Sequence, residues 1–287
     1  MVQPWGGPFV GSEVLFVPCP SVTTYTGTDD LTVSVDEHVL SVTFNRPDSL
    51  NSLNAGMLRG LTTALQTAAE DPDVKVVRLS GAGRGFCAGA GIAANDSGKR
   101  DENGAIDSVL DAANAAIRAI IASPKPVVAV VQGPAAGVGV SLALACDVVL
   151  ASEQAFFMLA FTKIGLMPDG GASALVAAAV GRIRAMRMAL LAERIAASEA
   201  LSYGLVSAVH PADELMDAAA SVLTALTSGP TVAMAKTKDA INAATLTELE
   251  ATLARETVGQ EMLLKSKDFA EGARAFQERR TATFTDR

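Results

Sequence analysis

Two β-rich runs, Leu31–Val35 and Val39–Phe44, flank the polar turn Asp36-Glu37-His38, which predicts a pair of strands. Ala55–Glu70 then carries apolar residues at helical spacing through Met57, Leu58, Leu61 and Leu65, and Asp71-Pro72-Asp73 ends that helix. Val74–Ser80 reads as a buried strand, and residues 93–104 as a polar, mobile stretch. A second helix is expected over Ile106–Ser123, stopped before Pro124. A buried strand follows at Val127–Val131, a helix of small apolar residues at Ala136–Ala145, and a strand at Asp147–Ala151. Residues 174–227 read as mostly helical, and 231–280 as helical and more charged. Residues 1–27 are rich in Gly, Pro, Ser and Thr, with Val14–Val17 their one strand-like piece. Strands alternating with helices predict a parallel sheet covered by helices, with a helical C-terminal part.

A chain of 287 residues, 49% apolar, can bury a sizeable core in one large domain with a small appendage. The formal net charge of −8 argues against nucleic acid or an anionic membrane as the main partner. It leaves room for an anionic small ligand, since a few local cations and helix N-termini can hold phosphates. Cys19, Cys87 and Cys146 form neither a disulfide framework nor a zinc spacing, and His38 and His210 are isolated, so no metal is expected. No run approaches a membrane span, and the N-terminus lacks the pattern of a signal peptide, which makes a cytoplasmic enzyme the default expectation.

Two strands end in glycine-rich turns, Gly81–Gly91 and Gln132–Val140. Glycine permits unusual φ and lets backbone approach a ligand, and parallel sheets gather ligands at the carboxyl ends of their strands. The second turn opens a helix, whose first N–H groups carry partial positive charge. Tight turns with close helix packing are the plain alternative for each. A dinucleotide site is a weaker rival, because Leu142 stands where the third glycine belongs. No Gly-Lys-Ser/Thr follows either turn, and Ser141 does not sit in a nucleophile elbow.

Together with Asn45-Arg46-Pro47-Asp48-Ser49-Leu50-Asn51-Ser52-Leu53-Asn54, these turns resemble the enoyl-CoA hydratase/isomerase (crotonase) family. Gly83–Ile92, Lys125–Asp147, Gly165–Gly171 and the tail from Glu271 through Phe276 to Phe284 resemble further blocks of that family, in order over about 30–287. The resemblance implies an α/β, crotonase-like spiral of ββα turns with a helical C-terminal trimerisation region, assembled as a homotrimer or hexamer. It divides the chain into an N-terminal extension (1–27), an acyl-CoA-binding core (28–227) and a helical C-terminal region (228–287). It implies an acyl-CoA thioester as partner and no cofactor, coenzyme A being part of the substrate. The family's two oxyanion-hole N–H groups fall on Ala90 and Val138, and the carbonyl of Ala88 falls where the adenine is met. Gly91, Ile92, Ser141 and Phe161 fall along the substrate site. Phe276 and Arg279 fall on positions that reach the coenzyme A of a neighbouring subunit; a core aromatic and a solvated charge are the alternatives.

The two glutamates with which hydratases of this family activate water fall on Ser141 and Phe161. Water addition needs a group to take one proton and a group to deliver another, so these replacements argue against efficient hydration. Asp169 falls where isomerases of the family carry a proton-shuttling carboxylate, and Phe157–Asp169 resembles the ring-forming phenylacetate-pathway isomerases. The alternative for Asp169 is the N-cap of the next helix. Asp147 is expected to be structural, and Cys87 a small buried hydrophobe rather than a nucleophile. Arg84 is a candidate for a coenzyme A phosphate or a solvated loop arginine. Gly91 replaces the family's usual aspartate. Glu102, Asp107 and Asp111 are weaker candidates near the acyl group. The resulting expectation is an enoyl-CoA isomerase, with an enoyl-CoA hydratase and a non-catalytic acyl-CoA-binding protein as alternatives.

Overall fold

The structure, a computed structural model, describes residues 23–91 and 108–286. Val14–Val17, Ile92, residues 93–104, Glu102 and Asp107 therefore lie outside the described residues. The elements run β1 (Leu31–Asp36), β2 (Val39–Phe44), α1 (Ala55–Glu70), β3 (Val76–Gly81), α2 (Val109–Ala122), β4 (Val127–Val131), β5 (Ala135–Ala136), α3 (Val138–Ala145), β6 (Val148–Ser152) and β7 (Phe156–Met158). They continue with α4 (Ala172–Val180), α5 (Arg182–Leu191), β8 (Ile195–Ala196), α6 (Ala197–Tyr203), β9 (Ala208–His210), α7 (Leu215–Thr227), α8 (Thr231–Thr245), α9 (Leu249–Leu263) and α10 (Lys267–Gln277).

A six-stranded sheet has the order β1-β2-β3-β4-β6-β9. β1 and β2 form an antiparallel hairpin through Glu37 and His38, both at positive φ, and every other neighbour in this sheet is parallel. The central strand β4 is buried on both faces, and its side chains divide by parity. Val127, Ala129 and Val131 of β4 join the main core under α1, α2 and α3, whereas Val128 and Val130 join a smaller core capped by Leu215, Ala219 and Leu223 of α7. A second sheet, β5-β7-β8, stands beside the carboxyl end of β4.

Three sequence expectations are corrected. Helix α3 begins at Val138 rather than Ala136, because Ala136 pairs with Met158 in the small sheet and Gly137 has φ 54°. β3 begins at Val76 rather than Val74, whose N–H closes the preceding turn on the carbonyl of Asp71. The stretch expected to be mostly helical also holds β8 and β9, too short to carry a periodic signal. No single helix among the described residues is long and apolar enough to cross a membrane.

Candidate active site

The first glycine-rich turn is held from behind by two amides. Leu50 and Asn51 take left-handed φ values of 54° and 58°, turning the Asn51 side chain inward. Its Oδ1 accepts the N–H of Arg46 at 2.8 Å, and its Nδ2 donates to the carbonyls of Ala82 at 2.9 Å and Gly85 at 2.8 Å. From the other side Gln132 Nε2 donates to the carbonyls of Gly81 and Gly85, each at 2.7 Å. Beyond the turn, Leu53 donates to the carbonyl of Gly89 at 2.8 Å and accepts the N–H of Gly91 at 3.0 Å. A parallel bridge of this kind uses the groups on either side of Ala90. The N–H of Ala90 has no acceptor among the described residues.

The second turn is laid against the first. Ala136 donates to the carbonyl of Cys87 at 2.8 Å, and Gly137 donates to the carbonyl of Met158 at 2.9 Å. Gly89, at φ +89°, lies so close that a Cβ there would sit 2.9 Å from the carbonyl oxygen of Ala136 and 3.5 Å from Cα of Gly137. A Cβ on Gly139 would meet the carbonyl oxygen of Cys87 at 2.5 Å, so only glycine lets α3 pack on the first turn. Val138 is the first residue of α3, and its N–H has no acceptor within the helix and none among the described residues. The unpaired donors of Ala90 and Val138 thus follow directly on two glycines whose backbones touch.

The third component is the turn Pro168-Asp169-Gly170-Gly171. Gly170 and Gly171 have φ of 63° and 76° and lead into α4. The Ser141 hydroxyl, wholly buried on α3, donates to the backbone carbonyl of Asp169 at 3.0 Å. A Cβ on Gly170 would lie 3.6 Å from Cγ1 of Val138, so this turn packs on the first residues of α3. Asp169 Oδ2 accepts from Gln260 Nε2 of α9 at 2.7 Å, whereas Asp169 Oδ1 is buried with no partner among the described residues. Burial pushes the Asp169 carboxyl up to about 7; the donor from Gln260 opposes the rise and the nearby charge of Glu256 adds to it.

Asp169 is not the cap of α4. The N-cap position is Gly171, and the acceptor there is Glu256, which takes the N–H of Gly171 at 2.7 Å and of Ser173 at 2.8 Å. An anionic residue from another helix performs the capping, so neither oxygen of the Asp169 carboxylate is spent on the helix N-terminus.

The remaining candidates separate clearly. Phe161, in a short 3₁₀ turn (residues 160–164), is buried, with ring carbon Cζ 3.7 Å from where a Gly137 Cβ would be. Ala88 donates to the carbonyl of Leu50 at 2.9 Å, and its own carbonyl accepts no hydrogen bond among the described residues. Gly91 is half-buried and spends its N–H on Leu53. Phe276 and Arg279 are exposed at the end of α10, a helix whose Gly272 packs against the backbone of Ile164. Asp147 is structural: its Oδ2 accepts the N–H of Val127 at 2.7 Å and pairs with Lys238 at 2.9 Å. Burial pushes the Cys87 thiol up to about 12, so no thiolate nucleophile exists there. Arg84 is exposed on the first turn, and Asp111 is exposed in the first turn of α2.

The residues that sequence reasoning passed over are Asn51 as a scaffold, Gln132, Glu256 and Gln260. The last two had a legible signal. The buried face of α9 is Leu249, Leu253, Glu256 and Gln260, so two polar residues continue an apolar stripe at helical spacing. A polar side chain in that place must have buried partners.

Chemically, two N–H groups that follow touching glycines and have no acceptor among the described residues suit an oxygen that gains negative charge, and a buried carboxyl with proton affinity near neutrality suits proton transfer. Residues 34–287 match the family model described as Enoyl-CoA hydratase/isomerase. The 1,2-epoxyphenylacetyl-CoA isomerase of Escherichia coli (strain K12) is 37% identical over 254 residues, covering 88% of this chain and 96% of its own. The 2,3-dehydroadipyl-CoA hydratase of the same organism is 34% identical over 258 residues, covering 90% and 99%. The crystal structure of an enoyl-CoA hydratase from Mycobacterium avium subsp. paratuberculosis K-10 is 64% identical, with TM-score 0.83 and coverage of 90% of this chain and 99% of that one. With the two touching glycine turns and a crotonase-like α/β fold in place, this chain belongs to the enoyl-CoA hydratase/isomerase family.

Proposed function

We propose that this chain is an enoyl-CoA isomerase that moves a double bond of an acyl-CoA thioester through an enolate. The thioester oxygen lies between the N–H groups of Ala90 and Val138. Asp169 Oδ1 takes a proton from C2 of a 3-enoyl-CoA, and the C–H electron pair passes into the thioester as its oxygen becomes an enolate. The two donors and the start of α3 stabilise that charge as it develops. Asp169 then returns the proton at C4, the 3,4 double bond moves to the 2,3 position, and the carbonyl re-forms. Coenzyme A enters as part of the substrate, and no separate cofactor takes part.

One observation carries this reading: Asp169 has one buried oxygen without a partner among the described residues, and it adds to the family resemblance that puts Ser141 and Phe161 at the positions of the two hydratase glutamates. Ser141 is committed to the Asp169 carbonyl, and Phe161 is an apolar wall. Among the described residues Asp169 offers a buried base at this turn, and a proton shift between two carbons of one substrate needs only one.

The relatives named as hydratases favour a second reading, in which Asp169 activates water for addition to a 2-enoyl-CoA. Absorbance of the conjugated thioester separates the two. The isomerase reading expects a rise with a 3-enoyl-CoA and no decay with crotonyl-CoA at high enzyme concentration. Rapid decay with crotonyl-CoA and no rise with the 3-enoyl substrate establishes the hydratase. Tight binding without either change establishes an acyl-CoA-binding protein.

Self-association as a homotrimer or hexamer belongs to the same proposal. Exposed Ile183, Leu190 and Leu191 on α5 and Val258 and Met262 on α9 support it, as surfaces a neighbouring copy would cover. Phe276 and Arg279 would then reach a neighbour's coenzyme A.

A further inference from the structure

We propose that Gln260 is the positioning residue that aims Asp169 and reserves its Oδ1 for the substrate proton. The inference rests on the reading of Asp169 as the proton shuttle and goes beyond it by naming what controls that shuttle.

Three observations fix the geometry. First, the amide of Gln260 cannot be reversed. Met167 donates its backbone N–H to Gln260 Oε1 at 3.2 Å, which forces the NH₂ end towards Asp169. Second, that NH₂ meets Oδ2 at 2.7 Å, so the oxygen that holds a proton without losing a donor is Oδ1, the one with no partner among the described residues. Third, the helix that carries Gln260 is itself fixed to the same turn. Glu256, one helical turn earlier, accepts the N–H groups of Gly171 and Ser173, and Asn114 of α2 donates to Thr257 Oγ1 at 3.0 Å. The Pro168–Gly171 turn is therefore clamped on both sides of Asp169, by Gln260 at Met167 and by Glu256 at Gly171.

The two α9 residues also act on the carboxyl in opposite senses. Gln260 donates to the charged form and favours it, while Glu256, with both oxygens committed, adds an unfavourable like charge. Glu256 is the charged group that acts on Asp169 among the described residues. From α3 the turn meets Ser141 and Val138, both uncharged.

The test compares wild type, Gln260→Met, Asp169→Asn and the double variant with a 3-enoyl-CoA substrate. Methionine keeps the length of the side chain and removes both hydrogen-bonding ends. Gln260→Met is expected to lower kcat by about 100-fold with KM unchanged, as for a displaced catalytic group. The acid limb of kcat/KM should move upward from its wild-type position, because the anion loses its donor. In the Asp169→Asn background the same substitution should have no further effect on rate. Asp169→Asn as active as wild type overturns the shuttle itself. Asp169→Asn inactive, with Gln260→Met unchanged in both kcat and acid limb, overturns the role of Gln260 alone. If the methionine variant does not fold, Gln260→Glu keeps an acceptor for Met167 and sets a second acid against Asp169. Its acid limb should also rise, and an unmoved limb overturns the proposal.

Discussion

The hydroxyl of Ser141 donates to the backbone carbonyl of Asp169 at 3.0 Å, so helix α3 holds the turn carrying the candidate base. Ser141 is completely buried, and the carbonyl it serves lies at the N-terminal edge of α4. Ser141→Ala removes the donor and leaves that carbonyl with the Ala172 N–H at 3.2 Å. The expected loss is about 1 kcal/mol of stability, read by urea unfolding, with a fall in kcat as the turn loosens. Ser141→Glu buries a charge beside the Asp169 turn and should lower isomerase activity more than alanine does, without creating hydration, since Phe161 leaves the second carboxylate missing.

The carboxyl of Asp169 also makes a pH prediction. Its affinity in the folded protein is raised to about 7, above the usual carboxylate range, so the folded state holds a proton that the unfolded state releases. This contribution favours folding below the unfolded pKa of about 4 and is lost as pH rises through 7. Asp169→Asn should therefore be more stable than wild type at pH 8, with the difference shrinking as pH falls towards 4. Thermal unfolding at both pH values checks this, and equal stability of the two proteins at pH 8 contradicts the raised affinity. The same titration sets the acid limb of wild-type activity near 7, since the base must be ionised to take the C2 proton.

Contact between the glycine turns gives a geometric prediction. Gly89→Ala places a methyl group 2.9 Å from the Ala136 carbonyl oxygen at a backbone φ of +89°. The turns must part or the residue must strain, at a cost of about 1–3 kcal/mol. Because the Ala90 and Val138 donors follow these glycines, misalignment should lower kcat by about 100- to 1,000-fold, the range for losing one oxyanion donor. Steady-state kinetics on a variant shown to be folded by circular dichroism reads this, and wild-type kcat contradicts the placement of the donors.

Asn51 anchors the first turn through three hydrogen bonds and is completely buried. Asn51→Leu leaves the N–H of Arg46 and the carbonyl of Ala82 without this partner, while Gln132 still reaches Gly85. Losing these hydrogen bonds at about 1 kcal/mol each should lower the chemical denaturation midpoint.

Much of this was legible in the chain because local rules and global fold agree. Val39–Phe44 and Val127–Val131 satisfy strand preferences and lie in the sheet where burial demands them. Ala90, Val138 and Asp169 were singled out through the family resemblance; the structure sets Ala90 and Val138 directly after two touching glycines, while the role of each residue belongs to the proposed function. Two features were hidden for physical reasons. β8 and β9 are two and three residues long, so their pairing is set by partners far along the chain. Gln260 and Asp169 lie 91 residues apart, and nothing local to either predicts a contact made only when α9 docks against α4. The N-cap alternative for Asp169 failed for the same reason, because its replacement, Glu256, comes from that docking helix.

The most direct test of the account is the rate of 3-enoyl-CoA isomerisation by Asp169→Asn, followed by the absorbance of the conjugated product at pH 8. Asparagine keeps the size and the contact to Gln260 and cannot take a proton. The account predicts a loss of about 100- to 10,000-fold in kcat, the range for a general base, with substrate binding retained. A variant that isomerises at the wild-type rate would contradict it.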